Sequence, residues 1–347
     1  MLPELDAFDY ALPPERIAQQ PAPERDGARL LVLERASGRT LHRAVRDLPA
    51  LLRPGDLLVV NATRVLPARL RGRKTGSGGA VQALLLGPGA GPGHYRALLG
   101  ASGRLRPGLK LRFGALDAEV ACVGGDGEVL LAFAPGADPY AEGEAPLPPY
   151  IRRPAPCPED AARYQTVFAR APGSVAAPTA GLHLSRPLLE RLARAGVGYA
   201  EVVLHVGPGT FRPLRAEDLA AGTLHPEAFE LPAATAAAVA RARERGGRVV
   251  AVGTTATRVL EERARAGRRV EAGRGRTRLF LRPEAGSDAP RPFAVVDVLL
   301  TNFHLPRSSL LLLVAAFAGR RRILDAYAEA LRAGYRFYSY GDAMLVG

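Results

Sequence analysis

Tryptophan is absent from this chain of 347 residues, and cysteine, methionine and lysine occur only twice each. Cys122 and Cys157 are too few for a disulfide scaffold or a cysteine-rich zinc site. Long apolar runs are missing as well. The longest, Leu310 to Ala318, is nine residues, whereas a membrane span needs roughly twenty. The first ten residues carry Glu4, Asp6 and Asp9 and contain neither a basic start nor an apolar stretch, so no secretory signal is visible. These absences lead us to expect a cytoplasmic protein with no membrane segment.

Several phosphate and metal motifs are lacking too. Neither Lys74 nor Lys110 follows a G-x-x-x-x-G, so there is no P-loop. The glycines of Gly87-Pro88-Gly89-Ala90-Gly91 are without the strand–turn–helix setting of a dinucleotide fingerprint. His225-Pro226-Glu227 has the H-x-E of zinc deaminases but no accompanying C-x-x-C.

What is present is arginine. The basic residues number 47 against 34 acidic ones, a net charge of +13, and all but two are arginine. Residues 241–282 hold 13 arginines and 4 glutamates, net +9. Such a run suits phosphate contacts that read no sequence, or else a solvated helix face and loop. Part of the arginine excess reads as codon bias. The apolar fraction of 47% excludes global disorder.

The patterning predicts an α/β fold. Arg29–Leu33 and Thr40–Val45 read as a hairpin, and Leu57–Asn61 as a buried strand. Residues 72–143 hold 17 of the 38 glycines, with short strands at Ala80–Leu86, Tyr95–Leu99, Lys110–Phe113, Leu116–Val123 and Glu128–Phe133. That texture predicts a small antiparallel barrel. The Pro-rich stretch Pro146–Pro156 closes it. From Tyr164 onward strands (Tyr199–Val206, Val249–Gly253, Phe293–Thr301) alternate with helices capped by Ser185 and by Ser308 or Ser309, with a helix that Thr255 opens and that runs through Glu262, and with helices at Ala233–Arg245 and Ile323–Ala333. We therefore expect a large α/β barrel-like domain over residues 1–65 and 153–347, with a smaller antiparallel β-barrel inserted at 66–152.

His205, Thr254-Thr255 and Asn302 to His304 each fall just beyond a predicted strand, the edge at which α/β folds bind ligands. The run Gly173 to His183 is rich in small residues. It suits a flat ligand against backbone N–H groups, or a tight connection. His205 opens His205-Val206-Gly207-Pro208-Gly209-Thr210-Phe211 and is either an acid–base group or a core histidine. His225 and Glu227, two apart, face one way on an extended chain. They suit an acid–base pair, a hydroxylated ligand or a polar loop. His183, His205, His225 and His304 lack carboxylate or cysteine partners at ligand spacing, so no metal is expected. In Tyr335 to Asp342, Phe337 reads as core, while Tyr338 and Tyr340 read equally as core or as a stacking surface for splayed bases.

Taken in order, these segments resemble the S-adenosylmethionine:tRNA ribosyltransferase-isomerase family of queuosine biosynthesis. The likeness runs from Phe8-Asp9-Tyr10, through Gly55 to Asn61, Thr63-Arg64 and Pro67-Ala68-Arg69. It continues through Pro148 to Ile151, Tyr164 to Val167, Gly173 to His183, His205 to Pro213 and His225-Pro226-Glu227. Val252 to Thr255 with Arg258, Leu300 to Ser308 and Tyr335 to Met344 complete it. The chain departs from the family pattern at Ala80-Val81-Gln82, Leu184, Arg278 and Glu284.

The resemblance implies transfer and isomerisation of the ribosyl part of S-adenosylmethionine onto a 7-aminomethyl-7-deazaguanine at the tRNA wobble position. Epoxyqueuosine-tRNA, adenine and methionine would be the products. S-adenosylmethionine is a co-substrate there, and no true cofactor is implied. On that reading His183, His205 and His304 are proton-transfer candidates, and Glu227 and Asp342 contact ribose, amine or sulfonium. Ser174, Thr179, Gly181, Gly207, Thr210, Phe211, His225, Thr254, Thr255, Asn302 and Tyr340 line the substrate site. Arg64, Arg258, Arg274 and Arg276 meet tRNA phosphates around the anticodon loop. A monomer is expected. The rival readings are a non-catalytic RNA-binding protein, an S-adenosylmethionine-dependent RNA methyltransferase and a histidine-based metal hydrolase.

Overall fold

The computed structural model describes residues 3–125, 127–153, 157–211, 214–265 and 269–347. Its centre is a nine-stranded sheet in the order Gly273–Leu279, Thr223–Leu231, Gly198–Leu204, Leu57–Asn61, Val249–Val252, Val298–Asn302, Ala343–Val346, Arg29–Leu33, Thr40–Ala44. The run from Gly198–Leu204 to Val298–Asn302 is parallel, and antiparallel pairings flank it on both sides.

The central strands Leu57–Asn61, Val249–Val252 and Val298–Asn302 are buried at every position because both faces are covered, and their polar residues come only at the ends. Leu57, Val59, Val249, Ala251 and Leu299 turn to one core. Leu58, Val60, Val250, Val252 and Leu300 turn to the other. Helices Ala233–Glu244, Gly253–Glu262, Ser309–Ala318 and Arg320–Arg332 contribute buried side chains to the first core, and Arg186–Arg194 contributes Leu188 and Leu192 to the second. The caps expected at Ser185 and Ser308 are formed: each hydroxyl accepts a backbone N–H three residues on, at 3.2 Å.

The second sheet is a closed barrel of Arg69–Lys74, Ala80–Pro88, His94–Ala101, Lys110–Phe113, Leu116–Val123 and Glu128–Phe133. Alternate residues such as Val81, Ala83, Leu85, Leu111, Phe113 and Leu131 fill its interior. The α/β class and the antiparallel barrel agree with the sequence reading. The large sheet has two end strands in its order, and only the small sheet closes on itself.

Arg69–Lys74 escaped the sequence reading because basic residues cover its outer side and Leu70 is its only fully buried residue. Gly72 permits the pairing there: a Cβ would lie 2.2 Å from the Arg112 carbonyl oxygen. The Tyr335 to Asp342 stretch also differs from one expectation. Tyr335, Phe337, Tyr338 and Tyr340 are all buried, so the segment is no open stacking surface for bases. Among the described residues no helix is long and apolar enough to cross a membrane.

Candidate active site

The parallel strands end on one edge of the sheet, and two adjoining cavities open there. The first, of about 300 Å³, is walled by Ala176 to Ala180, Gly253 to Thr255, Thr301 to Leu305, Tyr338, Tyr150 and Tyr164. The second, of about 460 Å³, lies between the large sheet and the barrel. His205, Gly207, His225, Glu227, Arg258 and Arg276 line one side of it, and Leu86, Arg96, Leu98 and Glu128 of the barrel line the other. Val206 and Leu310 border both cavities.

In the first cavity His304 is buried, and its Nε2 lies 2.8 Å from Thr301 Oγ1. Its backbone is pinned from both sides: its N–H donates to Tyr327 Oη at 3.0 Å, and its carbonyl accepts from the Tyr10 hydroxyl. Burial pushes the His304 imidazolium pKa down to about 3, so the ring is neutral near pH 7. Thr179, Thr254, Thr255 and Asn302 share this cavity. The Asn302 amide nitrogen lies 3.0 Å from both His183 Nε2 and the Tyr338 carbonyl oxygen. Tyr338 stacks on Tyr150 with ring centroids 4.5 Å apart. With Arg307 it is one of two non-glycine residues at positive φ among those described.

In the second cavity the half-buried His205 ring holds Thr63 Oγ1 at 2.9 Å through Nδ1, and burial lowers its pKa. The ring lies flat against Gly173, where a Cβ would come within 2.9 Å of it and φ is +142°. Only glycine leaves that space. Glu227 is buried: one carboxylate oxygen accepts the Gly207 N–H at 2.9 Å, and the other forms an ion pair with Arg258. Arg258 pairs with Glu227 through Nη1 and donates from Nε to the Leu279 carbonyl oxygen at 3.1 Å, while its buried Nη2 has no hydrogen-bond partner. At 6% exposure it is not the surface phosphate contact expected of it.

The remaining predicted residues divide differently. His183 lies beside a separate cleft of about 20 Å³, too small for a substrate, which it shares with Arg25, Arg163 and Tyr340. Because its Nε2 accepts from Asn302, His183 acts on the first cavity only through that amide. Tyr340 donates to Asp160 at 3.0 Å and lines neither large cavity. Asp342 also lines neither. Its carboxylate accepts the N–H groups of Arg29 at 3.0 Å and Arg336 at 2.8 Å, tying the start of strand Arg29–Leu33 to the loop before Phe337. Ser174 is consumed by Ala176 and Val206 of the backbone, and Gly181 sits in the buried turn Thr179–His183. The side chains of Thr210 and Phe211, and residues 212–213, lie outside the described residues.

Of the arginines in 241–282, Arg243, Arg248, Arg263, Arg265 and Arg274 also hold carboxylates. Arg64 and Arg276 are exposed, and Arg276 borders the second cavity. Sequence reasoning passed over Thr63, Thr301 and Tyr150, whose roles depend on neighbours brought in by folding. Among the described residues no group of three His, Cys, Asp or Glu side chains is placed to hold a metal.

The neutral buried histidines carry a consequence for acid stability. His183 and His304 have folded pKa values of about 4 and about 3, below the ordinary 6.5. Above pH 6.5 both folded and unfolded chains are neutral there, and stability is complete. As the pH falls below 6.5 the unfolded chain takes up protons that the folded one refuses, so stability is lost toward pH 4 and then pH 3. At pH 5 each group is expected to remove about 2 kcal/mol. Urea unfolding at pH 7.5 and 5.0 measures this. A variant with both histidines replaced by asparagine that loses as much between the two pH values as the parent contradicts it.

Comparison with known proteins places this geometry. The family model described as "Queuosine biosynthesis protein" matches residues 5–346. A protein of Anaeromyxobacter dehalogenans named S-adenosylmethionine:tRNA ribosyltransferase-isomerase is 54% identical over 349 residues, covering 99% of each chain. One of Thermus thermophilus with the same name is 51% identical over 354 residues, again covering 99% of each. The crystal structure of an S-adenosylmethionine tRNA ribosyltransferase from Thermotoga maritima is 38% identical and covers 98% of this chain and 100% of its own, with a TM-score of 0.57. The chain belongs to the family of queuosine biosynthesis proteins.

Proposed function

We propose that the chain is an S-adenosylmethionine:tRNA ribosyltransferase-isomerase. It moves the ribosyl group of S-adenosylmethionine onto the aminomethyl group of 7-aminomethyl-7-deazaguanine at the wobble position and isomerises it, giving epoxyqueuosine-tRNA, adenine and methionine. The observation that carries this reading is the pair of adjoining cavities at the carboxyl edge of the sheet, each with a histidine whose pKa burial lowers. S-adenosylmethionine occupies the first, and the deazaguanine swung out of the anticodon loop occupies the second. A single-stranded loop allows that base to be splayed at modest cost.

The chemistry asks for groups that take and return protons. The carbon beside the sulfonium is acidified by that positive charge. Neutral His304, in the first cavity, can accept a proton, and because burial lowers its pKa the resulting imidazolium is strongly acidic and suited to protonating the departing adenine. In the second cavity His205, held by Thr63, serves the attacking amine, which must react as its free base. Glu227 positions the His205–Gly209 turn through Gly207 and does not itself move a proton. The residues 66–152 form an inserted unit whose barrel supplies the far wall of the second cavity. A tRNA substrate also points to work in the cytoplasm.

Incubation with S-adenosylmethionine and precursor-bearing tRNA tests the reading. Free adenine and methionine are expected. S-adenosylhomocysteine would mark a methyltransferase, and RNA binding without either product a binding protein. Arg64 and Arg276 are proposed phosphate contacts. Log affinity for tRNA should then fall steeply with log salt concentration, by roughly 0.7 for each phosphate neutralised on a single strand. Replacing both arginines by alanine should flatten that slope, and a flat slope in the parent protein would exclude them as phosphate contacts.

A further inference from the structure

Four buried polar atoms have no hydrogen-bond partner and belong to residues that line the first cavity: Asn302 Oδ1 and the hydroxyl oxygens of Thr255, Tyr338 and Tyr164. Buried polar atoms are nearly always satisfied, so four around one cavity call for a polar ligand. Asn302 and Tyr338 are 2% and 5% exposed, and no protein group partners their free oxygens.

The kind of hydrogen bond each can make is restricted. The Asn302 amide nitrogen is committed to His183 Nε2 and to the Tyr338 carbonyl oxygen. Only the carboxamide oxygen remains, and it can only accept. Thr255 and Tyr338 carry hydroxyls, which can donate. Tyr338 is held at φ 72° by its own N–H to the Phe303 carbonyl oxygen at 3.2 Å and by its carbonyl to Asn302. A residue kept in that sparsely populated conformation by surrounding bonds is typical of ligand-binding positions. Asn302 thus supplies the acceptor and also fixes the neighbouring donor.

One acceptor flanked by donors matches the edge of a 6-aminopurine, whose amine donates and whose N1 and N7 accept. We propose that the first cavity selects a 6-aminopurine, with Asn302 Oδ1 accepting from the exocyclic amine and the Thr255 and Tyr338 hydroxyls donating to ring nitrogens. This rests on the assignment of the first cavity to S-adenosylmethionine and names the groups that recognise its base. A 6-oxopurine would set its oxygen against Asn302 Oδ1, two acceptors with no proton between them. The same edge therefore excludes the deazaguanine, which is 6-oxo, and keeps the two substrates in their own cavities.

Calorimetric titration of the full chain with adenosine, inosine and guanosine tests the selection. Adenosine should bind at least roughly tenfold more tightly than either 6-oxo nucleoside. Thr255→Val and Tyr338→Phe, which keep shape and remove one hydroxyl each, should weaken adenosine binding by roughly three- to tenfold. Thermal melts confirm that these conservative variants are folded. Equal or tighter binding of inosine or guanosine overturns the proposal. So does unchanged adenosine affinity in both variants, or no adenosine binding by a cooperatively melting parent protein. If adenosine selectivity holds but precursor tRNA and S-adenosylmethionine release no adenine, the transferase reading fails while the purine selection stands.

Discussion

Replacing His304 by alanine is expected to slow adenine release by roughly 10²–10⁴-fold, the usual contribution of a positioned proton-transfer group. The surroundings of the ring make this a clean experiment. The Thr301 hydroxyl orients Nε2, and the His304 backbone is held independently by Tyr327 and Tyr10. Losing the imidazole therefore leaves the loop anchored. With a pKa of about 3, the ring stays neutral from pH 5 to 8, and its own ionisation gives no inflection in the rate across that range. His183 provides the contrast. It hydrogen-bonds to Asn302 and does not itself line the first cavity, so His183→Asn should lose much less. Steady-state release of adenine by the two variants gives the comparison. Turnover of His304→Ala within about threefold of the parent would remove His304 from the chemistry.

Glu227→Ala should destabilise the protein by about 3–5 kcal/mol, because it strands the buried Arg258 guanidinium without its carboxylate. The substitution also frees the Gly207 N–H, and the turn that follows His205 loses its anchor. Activity is then expected to fall together with stability. The pair Glu227→Leu with Arg258→Met removes both charges and should recover most of the lost stability, since apolar replacement of a buried ion pair is often neutral. Chemical denaturation of the single and double variants decides it. A single variant as stable as the parent would mean that water reaches Arg258.

Much of this was legible in the sequence. An apolar Leu57–Val60 run ending in Asn61 and a hydroxyl- or histidine-bearing end to each later strand mark a parallel sheet with a polar edge, and the structure has that edge. Glycine-punctuated short strands announce a small barrel because alternation and turn chemistry are local. Less legible was which polar residue does which job. Asp342 and Tyr340 look like site residues beside Tyr338, yet Asp342 serves backbone amides of Arg29 and Arg336, and Tyr340 serves Asp160. Arg258 looks like one more member of a basic run, yet Glu227, 31 residues away, buries and neutralises it.

The residue pattern by itself determined the α/β class, the antiparallel barrel and the sheet edge at which the two cavities open, since hydrophobic period, caps and turns act over a few residues. Tertiary structure alone decided that the histidines part company. His304 faces the first cavity, His205 faces the second, and His183 lies behind Asn302. It also brought the barrel across to wall the second cavity. Those outcomes depend on burial and on partners far apart in the chain. Burial sets the charge of an imidazole, and its partners set the direction in which it can donate or accept.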